Sequence, residues 1–274
     1  MSNAPVEPRH PRWPREARAA CAFTFDLDAE TLWMARKIDE PVTLSQGRFG
    51  PVEALPRILA LLRAAEIRST FFVPAWVATR YPDAIRAIVG DGHELGCHGD
   101  EHESVRELPR EREEEILLKS LEVLTRLGGK RPLGYRAPAW QLSANTLDLL
   151  CRHGFDYSSN MMDRLAPYLH PPLAGRALVE IPVSWVLDDA PFFLFTGQRS
   201  MQPPGPVLQG WITEFEGITE ARGVTNFTFH PQIIGRPSRL ACLRELIDHV
   251  RHTPRIWVAC LSEMSTHWRS AVAG

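Results

Sequence analysis

The sequence predicts an α/β fold: a single-domain barrel of mainly parallel strands wrapped by helices. Two observations predict it. Short apolar runs alternate with amphipathic helical stretches along the chain, the pattern of a repeated βα unit. In addition Asp26, Asp28, His98, Arg136 and His230 each fall at or just past the end of a run expected to be a strand. Parallel barrels gather their reactive side chains at the C-terminal ends of the strands, so this placement puts all five on one rim.

The elements follow in order. Residues 20–25 (Ala-Cys-Ala-Phe-Thr-Phe) form the first expected strand, ending in Asp26-Leu27-Asp28. A helix is expected over 53–65, with Pro56 near its start and Leu55, Ile58, Leu59 and Leu62 on one face. Residues 69–73 are a second strand, 83–89 a helix stopping at Asp91-Gly92, and 94–98 a third strand. The longest expected helix, 109–127, opens with Glu111, Glu113, Glu114 and Glu115 and stops at Gly128-Gly129. Residues 133–136 are a short strand, and 143–152 a helix capped by Ser143 and ended by Gly154. Strands are expected over 155–158 and 178–185, and a loop over 192–206, where Gly, Pro and aromatics mix. Residues 224–229 form a strand ending in His230-Pro231, 240–250 a helix and 256–260 a last strand.

Composition narrows the function. The formal charge of the 274-residue chain is −2 and its basic residues are scattered, so neither nucleic acid nor an anionic membrane is expected as a partner. No stretch is long and apolar enough to span a bilayer. The first 17 residues carry Pro5, Pro8, Pro11 and Pro14 without the apolar core of a secretory signal. We therefore expect a proline-rich arm over 1–18 and a catalytic domain over 19–274. The five cysteines are odd in number, widely spaced and mostly within apolar runs, which suits reduced thiols in a cytoplasmic protein. Cys97 adjoins His98, but strand alternation points neighbours to opposite faces, so it is expected in the core.

The chemistry-bearing residues form one constellation. Asp28, His98 and His102 are the candidate metal ligands: one carboxylate and two imidazoles, with a coordination position left open. This donor set suits zinc foremost, and also cobalt, nickel or manganese. The spacing of four places His98 and His102 on one face of a helical turn. Asp26, two residues before Asp28, shares its face on a continuing strand and is read as a proton acceptor, or as a residue that holds a ligand in place. His230 is the candidate general acid for a leaving nitrogen, with a third nitrogen ligand or a buried structural histidine as alternatives. Arg136 is positioned to pair with Asp26. Trp140, Trp185 and Phe192, with Phe193, are the candidate pocket aromatics.

These residues resemble the polysaccharide deacetylase superfamily, which shares the nodulation-protein B homology domain. The motifs are Thr24-Phe25-Asp26-Leu27-Asp28-Ala29-Glu30, His98-Gly99-Asp100-Glu101-His102, Arg136-Ala137-Pro138-Ala139-Trp140 and Phe229-His230-Pro231, running on into Gly235-Arg236-Pro237-Ser238-Arg239. The resemblance implies a distorted (β/α) barrel and a metal-dependent hydrolase of a non-peptide carbon–nitrogen bond, acting through metal-activated water. In it Asp26 matches the catalytic base, Asp28, His98 and His102 the metal ligands, Arg136 the residue orienting the base, and His230 the acid. The Asp-Leu-Asp form of the first motif is similar to the branch holding intracellular peptidoglycan deacetylase-like proteins, cyclic imide hydrolases and metal-independent allantoinases. Ser158 stands where an aspartate is expected, which leaves Asp188 or Asp189 to orient His230. The superfamily name points to an N-acetylated saccharide; the bulky segments 161–172 and 188–206 read as a lid, and a small linear or cyclic amide or imide competes equally. The branch also implies a homo-oligomer. The alternatives are a metal-independent allantoinase-like hydrolase and a non-catalytic carbohydrate-binding pseudoenzyme.

Overall fold

A computed structural model describes residues 12–195 and 200–273. Its centre is a curled sheet of nine strands: β1 Ala19–Asp26, β2 Thr70–Val73, β3 Glu94–Cys97, β4 Gly134–Tyr135, β5 Tyr157–Ser158, β6 Tyr168–Leu169, β7 Val179–Glu180, β8 Val224–Phe229 and β9 Ile256–Val258. The order is β6-β7-β5-β4-β3-β2-β1-β8, and every pairing is parallel except β6 with β7. β8 runs along one edge of β1. The other edge is shared, with β9 beside Ala19–Cys21 and β2 beside Thr24–Asp26. The far end of the sheet nearly returns to its start: beyond β7, Asp188 forms a single parallel bridge to Thr228 of β8. The result is the expected distorted barrel in one domain.

β1 and β8 are buried at every residue, because one face packs on helices and the other fills the barrel. Cys21, Phe23 and Phe25 join the large outer core, whereas Ala20 and Ala22 belong to an inner cluster with Phe72 and Tyr157. Cys97 lies in the outer core, as alternation requires. Two glycines make room for the inner rings: a Cβ on Gly96 would stand 2.5 Å from the Phe72 ring, and one on Gly134 would stand 1.9 Å from Tyr157.

Several elements depart from expectation. The strand expected over 178–185 pairs only at Val179–Glu180 before Pro182, which has no amide hydrogen to offer a ladder. The helix expected from 143 begins at Thr146; the Ser143 hydroxyl instead accepts from the Asn145 amide at 2.9 Å, ahead of the helix. The region expected as a loop over 192–206 contains the end of a short helix, Ala190–Phe193, and the start of a long one, Pro204–Glu220. Of the expected arm, residues 1–11 lie outside the described residues. Trp13 is buried beside Trp257 and Trp268, and its indole N–H donates to the Arg222 carbonyl at 3.1 Å. Among the described residues, no helix is long and apolar enough to cross a membrane.

Candidate functional site

Alternation along β1 continues past its end, so Thr24, Asp26 and Asp28 all face the barrel interior. Arg136, one residue beyond β4, enters the same space and is fully buried. Its Nη1 donates to Asp26 Oδ1 at 2.8 Å and to Thr24 Oγ1 at 2.9 Å, and its Nη2 donates to Ser159 Oγ at 3.0 Å. The guanidinium also lies over the Phe72 ring, 4.3 Å from its centroid. A buried charge needs this many partners, because each unmet donor would carry its full desolvation cost.

Asp28 is completely buried, and neither carboxylate oxygen has a hydrogen-bond partner. Three imidazoles surround it. His98 Nε2 lies 3.4 Å from Oδ1, while His102 Nε2 and His230 Nε2 lie 3.7 and 3.6 Å from Oδ2. Ligand atoms of Asp28, His98 and His102 all lie within 4.8 Å of one another. The carbonyl of Arg136 can only accept, so its 2.8 Å contact with His98 Nδ1 places a proton on Nδ1. In the neutral ring, the Nε2 lone pair is then directed at the site.

His98 and His102 do meet, with ring centroids 5.3 Å apart, but not across a helical turn. The chain leaves β3 through a loop in which Gly99 and His102 take positive φ angles of 73° and 63°. The expected i,i+4 helical pairing is therefore replaced by a loop that folds His102 back toward His98.

The titration of the group follows from burial and mutual charge. Burial pushes Asp28 up, but the charge of His102, the close approach of His98 and the charge of His230 outweigh it and leave it lowered. Burial dominates at His102 and lowers it to about 4, which favours a neutral ring. Burial also pulls His98 down, yet Asp26 and Asp28 outweigh it and leave it raised. The negative charge that holds a proton on His98 is the charge a cation would meet.

His230, just past β8, is set by the segment that closes the barrel. Asp189 Oδ1 accepts from its Nδ1 at 2.7 Å, and both Asp189 oxygens accept from its backbone N–H, at 3.2 and 3.1 Å. Asp188 Oδ1 stands farther from Nδ1, at 3.6 Å, and caps the Ala190 amide at 2.7 Å. Burial pulls His230 down, but the charges of Asp188 and Asp189 win and hold it well above the ordinary histidine value. Ser158 is elsewhere, accepting from Asn160 Nδ2 at 2.9 Å. Of the two aspartates weighed as replacements, Asp189 makes the close contact.

These groups open into a cleft of about 550 Å³ lined by Asp26, His98, His102, His230 and Asp188, with Trp140 and Trp185 on its wall. The two indoles are 4.3 Å apart between ring centroids. Phe192 does not line this cleft. Its place on the helix Ala190–Phe193 turns it toward Trp211, 6.3 Å away, and it lines a neighbouring cavity. Phe193 is buried in the outer core. Sequence reasoning missed Thr24, Ser159 and Asn226, whose side chains form the cradle around Arg136. The available signal was a polar side chain within or just past an apolar strand: Thr24 in β1, Ser159 after β5 and Asn226 in β8.

Comparison with known proteins finds deacetylase relatives and a shared fold. A family profile described as polysaccharide deacetylase matches residues 48–158, a span that includes His98, His102 and Arg136. The peptidoglycan deacetylase of Helicobacter pylori is 31% identical over 269 residues, covering 86% of this chain and 92% of that protein. A crystal structure from Mycobacterium smegmatis, of a protein provisionally assigned as a polysaccharide deacetylase, is 36% identical with a TM-score of 0.91, covering 95% of this chain and 93% of that one. The crystal structure of the Puue allantoinase is 25% identical with a TM-score of 0.86, covering 97% of this chain and 95% of that one.

Proposed function

The chain belongs to the polysaccharide deacetylase family, and on that premise we propose that it is a metal-dependent hydrolase of a non-peptide amide bond. Asp28, His98 and His102 would hold the metal, with zinc the best match to one carboxylate and two imidazoles. The supporting observation is Asp28: a buried carboxylate with two unpartnered oxygens, ringed by imidazole nitrogens, is the arrangement a divalent cation satisfies. Bound there, the cation would supply Lewis acidity and neutralise negative charge developing on the substrate carbonyl oxygen.

The chain's own residues divide the proton work. Asp26, fixed by Arg136 and facing the cleft, accepts the proton of the attacking water. The water oxygen bonds to the acyl carbon and the C–N bond breaks. His230, held through Nδ1 by Asp189, gives the Nε2 proton to the leaving nitrogen. The products are a carboxylate and an amine. The substrate is an N-acetylated saccharide or a small linear or cyclic amide or imide.

Likeness to an allantoinase structure supports a second reading, in which protonated histidines satisfy Asp28 and no metal is needed. A hydrolysis panel tests both, run with and without added zinc, cobalt or manganese. It comprises N-acetylglucosamine oligomers, peptidoglycan fragments, succinimide, hydantoin and allantoin. We expect turnover of at least one substrate only with metal. Equal turnover after chelation supports the second reading, and no turnover of any member argues for a pseudoenzyme.

A further inference from the structure

Beside the catalytic cleft lies a second cavity of about 630 Å³. The two meet at Pro191 and Leu194, which line both. The rest of the second cavity is mostly apolar, with Val186, Phe192, Val207 and Trp211 on its wall. Ser200, Gln202 and the unpartnered indole N–H of Trp211 are its polar side-chain groups among the described residues, and none of the described lining residues is charged. Val186, on its wall, is 46% exposed. We infer that this cavity is a subsite for an apolar limb carried on the leaving nitrogen of the substrate, an inference that rests on the hydrolase reading.

The direction follows from the chain. The leaving nitrogen must lie within reach of His230 Nε2. Asp188 and Asp189, which flank His230, run directly into the helix Ala190–Phe193. Pro191 of that helix and Leu194 just after it form the boundary to the second cavity. A substituent on nitrogen is thus the part of the substrate closest to the apolar space. The chemistry of the limb follows from the wall. A sugar hydroxyl buried there without a partner would lose its hydration uncompensated, whereas an alkyl or aryl group gains from leaving water.

Gly210 supplies the test. It lines the cavity from the helix Pro204–Glu220, and a Cβ there meets nothing within 4 Å, so the backbone accepts a larger side chain and Gly210→Trp narrows the cavity from this wall. The substrates are N-acetyl methylamine, butylamine and hexylamine, whose amines differ little except in apolar length. For the metal-loaded wild type, kcat/KM should rise about two- to fourfold per added methylene, given roughly 0.8 kcal/mol per buried CH₂. Gly210→Trp should keep the methylamine rate and lose the rise. A flat ladder in the wild type, or an equal rise in Gly210→Trp, overturns the subsite while leaving the hydrolase reading intact. Calorimetric binding of the same amides needs no turnover. Graded binding that Gly210→Trp abolishes, with no hydrolysis, upholds the subsite and sinks the hydrolase reading; ungraded binding sinks the subsite.

Discussion

Asp189 grips His230 at two points, accepting its ring Nδ1–H at 2.7 Å and its backbone N–H at 3.1 Å. The ring can then neither rotate nor exchange tautomers without breaking a buried contact, and Nε2 stays aimed into the cleft. Asp189→Asn preserves the shape but lets the amide nitrogen face Nδ1, which favours the wrong tautomer. We expect kcat to fall about 10²- to 10⁴-fold, the usual range for a lost general acid or base, with KM little changed. Asp188→Asn, whose contact is longer at 3.6 Å, should lose less. Steady-state kinetics of the two variants check the ranking.

Asp26 and His102 separate catalysis from metal retention. Asp26→Asn should bind metal as the wild type does yet lose most turnover. His102→Ala should lose both. Elemental analysis of each purified variant beside its kcat decides this, and near wild-type kcat in Asp26→Asn removes Asp26 as the proton acceptor.

Metal should also stabilise the fold. A ligand that binds only the native state at a hundred times its dissociation constant adds about 2.7 kcal/mol. Added zinc should therefore raise the Tm of the wild type, and should do so far less for Asp28→Ala. Equal Tm shifts in the two proteins would place the bound zinc somewhere other than Asp28.

Arg136 is a structural keystone as well as a partner of Asp26. Arg136→Met leaves the buried Asp26 carboxylate without its cation and Ser159 Oγ without its guanidinium donor. The expected loss is about 3–5 kcal/mol, the usual result of removing one member of a buried pair. Denaturant unfolding of the variant measures it.

Gly134→Ala tests the inner packing. Its Cβ would collide with the fully buried Tyr157 ring at 1.9 Å, and Tyr157 is further tied to Glu94 by a 2.8 Å hydrogen bond. Overpacking of this kind costs about 1–3 kcal/mol or more. The same substitution at Gly129, where a Cβ meets nothing within 4 Å, suffers only from the backbone's φ of 71° and should cost less.

Much of the rim was legible in the sequence because parallel strands bury both faces and end abruptly. An apolar run that stops at a carboxylate or imidazole marks where the barrel opens, and Asp26, His98 and His230 were all found this way. The His98–His102 loop was not legible, because a spacing of four looks the same in a helix and in a loop turned by Gly99. The helix Pro204–Glu220 was hidden by Gly205, Gly210 and Gly217, which weaken helical propensity. Burial of Trp211, Phe215 and Ile218 on one face overrides that weakness. Phe192 was misplaced because the short helix Ala190–Phe193, which sets the direction of its ring, was read as the start of a loop. The choice between Asp188 and Asp189 depended on the parallel bridge from Asp188 to Thr228, a contact between segments forty residues apart.

The most direct test of the central claim is a titration of chelated protein with zinc, following bound metal and amide hydrolysis together. Activity should be absent in the chelated protein and rise in proportion to metal, reaching its plateau at one ion per chain. Full hydrolysis before any metal is added, or one tightly bound ion with no hydrolysis of any amide, would contradict it.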